Sequence, residues 1–226
     1  MEVYELLKQY AQETNVPEDP DSSTPALGFG LSLFHSCLVE AGLDAEEISG
    51  IPLVIARPED IKPDCLSRFV VCYIPFKLGK ESYETNEILF EIYSFLKWMD
   101  KREISHGLLG IDFQKSVKGF MGQRERCRQL SGFIDEAAAE ILGDPPNIIN
   151  ALHCVFEVSK TKRDFIHVSG EDLEEPIRFR LPDRAVKLIR ENDRLDLTLG
   201  DTSEKWVILE GGDVFPGVVS DNPQSN

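Results

Sequence analysis

The sequence is short of bases, of paired cysteines and of long apolar runs, and each shortage excludes something. Twenty-four lysines and arginines face forty acids over 226 residues, a formal charge of −16. That balance opposes a whole-surface grip on phosphate backbones or anionic lipid. No apolar run approaches the roughly 20 residues needed to span a bilayer, so no membrane role is expected. Met1-Glu2-Val3-Tyr4-Glu5 lacks the basic and apolar regions of a signal peptide. The five cysteines, Cys37, Cys65, Cys72, Cys127 and Cys154, include no Cys-x-x-Cys pair, which excludes a zinc ribbon or a thioredoxin-like motif. Apolar neighbours, as in Val70-Val71-Cys72-Tyr73, suit buried thiols in a reducing compartment. A cytoplasmic protein is expected.

Catalytic and phosphate-binding signatures are also missing. No Gly-x-x-x-x-Gly-Lys-Ser/Thr occurs, and Gly28-Phe29-Gly30 lacks both the third glycine and the preceding strand of a dinucleotide fingerprint. These glycines read as punctuation at the entry to a helix. His106 after Ser105, and His167 before Ser169, are fragments of a nucleophile–base pattern, but no Gly-x-Ser-x-Gly elbow accompanies them. His35 and Cys37 diverge by about 200° on a helix, and His153 and Cys154 point to opposite faces of a strand. Neither pair makes a metal site. Asp172, Glu174 and Glu175 cluster without the spacing of a calcium-binding loop. No catalytic residue, metal or cofactor is assigned.

What is present is a patterned core: 42% hydrophobic and 28% charged residues exclude wholesale disorder and leave material for one large or two modest domains. Val3, Leu6, Leu7 and Tyr10 keep the i, i+3, i+4, i+7 spacing of a helix over residues 2–14. Asn15 to Pro25 reads as a loop, and Leu31, Phe34 and Leu38 mark a second helix that Gly42 stops. Asp44 to Glu47 is expected to open a short turn. Residues 51–56 and 69–73 pass as buried strands, but Pro63-Asp64 opens a helix pattern favoured over 63–74. Thr85 to Glu103 is the clearest helix, with a stripe of Ile88, Leu89, Ile92, Phe95, Leu96 and Met99. Asp112 to Leu142 reads as a long helix that Gly119 and Gly122 bend or split.

Residues 60–104 carry Phe69-Val70-Val71-Cys72-Tyr73-Ile74-Pro75, a polar loop, then Ser94-Phe95-Leu96-Lys97-Trp98-Met99-Asp100-Lys101. This segment resembles the helical core-binding module of tyrosine recombinases. The resemblance implies helical packing alone, because no counterpart of that family's catalytic domain follows residue 147.

After Gly143-Asp144-Pro145-Pro146-Asn147 the period changes from about 3.6 to 2. Cys154, Phe156 and Val158 alternate with Val155, Glu157 and Ser159, Ile177, Phe179 and Leu181 with Arg178 and Arg180, and Leu195, Leu197 and Leu199 with Asp196 and Thr198. The expected fold is therefore α+β: a mostly helical domain over 1–143, a linker at 144–147, a small antiparallel β-barrel, SH3-like or similar, over 148–219, and a disordered tail over 220–226. Neither module is basic, with 14 bases and 25 acids in residues 1–147 and 10 and 15 in 148–226.

Two groups of bases are candidate binding residues. Lys115, Lys118, Arg126 and Arg128 crowd one stretch of the long helix, where Glu125 is the one acid among residues 115–128. Arg178 and Arg180 alternate with core residues, so both project from one outer face of the barrel, and a neighbouring exposed aromatic there would suit an acidic peptide. Trp206 is the obvious aromatic but is expected in the core. The first functional expectation is a non-enzymatic two-module interaction or adaptor protein with a protein partner. An alternative is a nucleic-acid-associated accessory protein using residues 115–128, which the net charge disfavours. A further alternative is an enzyme with a cleft between the modules, drawing on His106, His153 or His167 and carboxylates.

Overall fold

The computed structural model describes residues 1–14, 27–43, 45–48, 51–78, 85–162, 165–170 and 173–217. The loop expected at Asn15 to Pro25, and the tail expected to fray, fall outside them. The chain folds as two compact units, Met1–Phe120 and Met121–Asn226.

In the first unit, α1 (Val3–Glu13) buries Val3, Leu6, Leu7, Tyr10 and Ala11, the face the apolar spacing marks. Helix α2 (Phe29–Glu40) buries Leu31, Phe34, Cys37 and Leu38. It stops at Gly42, whose φ of +73° is the left-handed conformation that terminates helices. The segment expected to turn at Asp44 to Glu47 instead contributes strand β1 (Ala45–Ile48), paired antiparallel with β2 (Ile51–Val54) in the register Ala45↔Val54 to Ile48↔Ile51.

Helix α3 (Pro63–Arg68), a π turn over Phe69–Tyr73 and helix α4 (Ile74–Leu78) form one helical run. The helix over 63–74 is thus present, and it runs on through Pro75. A proline displaces the carbonyl four residues back, here Val71, which lies inside the widened turn. The π turn thus accommodates the proline. Helix α5 (Thr85–Lys101) buries the whole expected stripe from Ile88 to Met99. Trp98 donates from Nε1 to Glu13 at 2.8 Å, and Arg102 stacks on its ring at 4.7 Å.

Helix α6 (Phe113–Gly143) is unbroken over 31 residues. Gly119 and Gly122 lie on its exposed side and neither splits it. The two units meet inside this helix, at Phe120 and Met121, and not at the Pro-Pro segment. The reason is packing. From Cys127 onward its apolar stripe, Cys127, Leu130, Ile134 and Ala138, is buried in the same core as Phe156, Phe179 and Leu197 of the barrel. Residues 144–147 only lead the chain from that helix into the first barrel strand.

The barrel comprises β3 (Asn150–Lys162), β4 (Phe165–Ser169), β5 (Ile177–Arg180), helix α7 (Asp183–Val186), β6 (Arg194–Asp201) and β7 (Trp206–Phe215). It closes in the order β3-β4-β5-β7-β6, with β6 returning to β3. Four joints are antiparallel; β5 and β7 run parallel, which departs from the all-antiparallel expectation. Gly211 and Gly212 are β7 residues where the β6–β7 register shifts. A Cβ on Gly211 would stand 2.3 Å from Asp135 Oδ1 of α6, so glycine is what lets helix and strand approach. Ser131 fixes the contact by donating to the Gly212 carbonyl at 2.9 Å.

Candidate binding face on the barrel

Register decides what β4 and β5 present to solvent. Phe165 pairs with Arg180 and His167 with Arg178, while Ile166, Val168, Ile177 and Phe179 turn into the core. Alternation therefore places Phe165, His167, Arg178 and Arg180 on one outer face. The Arg178 guanidinium lies 3.7 Å from the Phe165 ring centroid and that of Arg180 lies 4.7 Å from it. Each stack contributes about 0.5–1 kcal/mol at an exposed site. The ring thus holds two like charges side by side.

This face borders a cleft of about 960 Å³. Its walls are residues 173–182, including β5, and residues 204–208, including Trp206, with Ile141 of α6 between. The cleft is mixed in charge: Arg178, Arg180 and Lys205 stand with Glu140, Glu174, Glu175 and Glu204. Trp206 is half-buried, packed against the core as expected and also exposed to the cleft. The aromatic partner of the arginines is Phe165. The sequence pattern hides it, because an outward Phe165 next to Ile166 breaks the apolar–polar alternation that marks a strand.

Lys115 and Lys118 are exposed in the first unit, whereas Arg126 and Arg128 belong to the second. Arg126, one of the candidate binding residues, is buried in an ion pair. Its Nη1 and Nη2 bond Asp193 at 2.6 and 2.8 Å, Nη1 also reaches the Leu188 carbonyl at 2.8 Å, and both side chains are buried. The backbone N–H of Arg190 completes Asp193 at 2.8 Å. The signal was in the sequence: Arg126 precedes Leu130 by four residues and Ile134 by eight, so it lies on the buried stripe. Arg128 is exposed and bonds Glu125 at 2.8 and 2.9 Å. That pairing, with Gln129, holds the Glu125 carboxyl down to about 2.

The remaining chemical fragments are structural. His106 is buried; its Nδ1 accepts the Leu108 N–H at 3.2 Å and its Nε2 stands 3.1 Å from Asp100 Oδ1. An accepting Nδ1 fixes the proton on Nε2, which donates to Asp100, so neither nitrogen is free to act as a base. His153 lies on an outer face of the barrel near Thr198, 3.1 Å away, while Cys154 occupies the opposite side of the strand. Among the described residues no group of three or more His, Cys, Asp or Glu is placed to hold a metal. The N-terminus of α2, with its Gly28-Phe29-Gly30, receives the protein's own carboxylate. Glu91 of α5 accepts the Gly30 N–H at 2.8 Å, and a Cβ on Gly28 would fall 1.7 Å from its Oε1. Burial pushes the Glu91 carboxyl above its usual range, against the N–H groups of Gly30 and Leu31.

The fold and the face together define a class: a helical unit joined to a small closed barrel that carries an arginine–aromatic cleft. No family model, no curated protein and no solved structure matches the chain.

Proposed function

We propose that this is a non-enzymatic docking protein whose barrel recognises an acidic segment of a protein partner. The observation that carries the reading is the pair of guanidinium groups stacked on Phe165 beside an open cleft. Among the described residues Arg178 has no acidic partner, and arginine offers a planar fork matched to a carboxylate. The apolar surface of Trp206, Leu173 and Ile141 supplies the contact area such a segment needs.

A second reading, single-stranded nucleic acid, draws on the strand order. A Greek-key barrel with its third and fifth strands parallel resembles the oligonucleotide- and oligosaccharide-binding architecture, whose second and third strands carry the ligand face. An aromatic flanked by arginines on that face suits base stacking. Against it stand the four cleft carboxylates and the charge of −16.

Fluorescence anisotropy separates the two, using labelled acidic–apolar peptides and a labelled oligothymidylate at about 50 mM salt. The docking reading expects peptide binding that R178E/R180E weakens by more than about tenfold, or 1.4 kcal/mol. Oligothymidylate binding with a steep salt slope, and no peptide binding, would favour the second reading.

A further inference from the structure

Resting on the docking reading, we infer that the acidic segment enters as an extra strand between β5 and β7. The barrel is closed unevenly. β5 is tied to β4 through four residue pairs, Phe165↔Arg180 to Val168↔Ile177, but meets β7 through the single parallel pair Phe179↔Trp206. Elsewhere the strands are zipped over longer runs, as along Asn150↔Asp201 to Glu157↔Arg194. The cleft lies on that weak joint, its two walls being the β5 segment and the start of β7.

Geometry selects the direction of the guest. Because β5 and β7 are parallel to each other, a strand between them is either parallel to both or antiparallel to both. The antiparallel choice replaces the one parallel joint of the barrel with two antiparallel joints, which pair slightly better per residue. It also satisfies backbone groups along both walls, the way strand addition gains its affinity. Side-chain alternation then fixes composition. On β5 the outward positions are Arg178 and Arg180 and the inward ones Ile177 and Phe179. A guest in register sets its own outward side chains beside the two arginines and its inward ones beside the apolar core. The occupant is therefore a short extended segment in which acidic and apolar residues alternate.

The test uses the full chain and a synthetic set of labelled heptapeptides alternating glutamate with valine or isoleucine, alongside isomers with the glutamates blocked at one end. Alternating peptides should bind at least tenfold more tightly than blocked isomers. N-methylation at either of two adjacent central residues should weaken binding at least tenfold, because a strand with neighbours on both edges uses every N–H. On binding, the amides of residues 177–180 and 206–208 should gain hydrogen-exchange protection. If both N-methylated peptides bind like the parent while R178E/R180E still abolishes binding, insertion is overturned and the docking reading stands. Sensitivity at only one of the two positions also overturns insertion, in favour of addition to a single edge. If no peptide binds the native chain, both readings fall.

Discussion

At the scale of single residues, the buried Arg126–Asp193 pair fastens α6 to the chain leading into β6. Removing one member strands the other charge in the core, which costs about 3–5 kcal/mol. We expect D193A to lower chemical-denaturation stability by that amount and R126M/D193L to recover much of it, because the double change leaves no lone charge. Glu91 predicts a pH effect with the opposite sign to an ordinary ion pair. Its folded-state pKa lies above 4.5, so its contribution to stability is greatest below that value and declines as pH rises through the raised folded value. E91Q keeps an acceptor for the Gly30 N–H without the charge. It should be at least as stable as the native chain at pH 7 and should lose this part of the pH dependence. His35 works the other way: burial lowers its pKa from 6.5, so its stability contribution is complete above 6.5 and lost as pH falls below it toward the folded value. Thermal melts of H35F should show a shallower loss between pH 6.5 and 5 than the native chain.

At the scale of elements, the change of period at residues 144–147 was legible, and so were helices α1, α2, α5 and α6, because each buries a stripe that repeats at 3.6 residues. The boundary between units was not. The stripe of α6 has the same spacing whether it packs on other helices or on a barrel, so periodicity alone does not name its partner. Of the candidate face, Arg178 and Arg180 followed from alternation, whereas Phe165 did not, since an outward aromatic beside Ile166 breaks the apolar–polar alternation that marks a strand. Hairpin β1–β2 was hidden by acidic residues that also suit a helix start. The packing of α6 makes a direct prediction about fragments. A fragment beginning at Asn147 lacks Cys127, Leu130, Ile134 and Ala138 from the barrel's core, and should not melt cooperatively. One beginning at Met121 retains them and should melt as a single transition followed by circular dichroism.

At the scale of the whole molecule, charge and local chemistry point in opposite directions. A net charge of −16 repels an acidic partner, and salt confines that repulsion to about 8 Å under physiological conditions. On the docking reading, selectivity therefore comes from contact, through the guanidinium groups on Phe165 and the apolar wall of the cleft. Such a partner should associate slowly at low salt and faster as salt screens the repulsion, the reverse of a nucleic-acid ligand, whose affinity falls steeply with salt. Lys115 and Lys118 belong to the first unit, Met1–Phe120. The most direct measurement is a chemical-shift map of the full chain titrated with an alternating glutamate–valine heptapeptide. The account predicts shifts confined to the amides around Phe165, Arg178, Arg180 and Trp206. Shifts centred on Lys115 and Lys118, or none at saturating peptide, would contradict it.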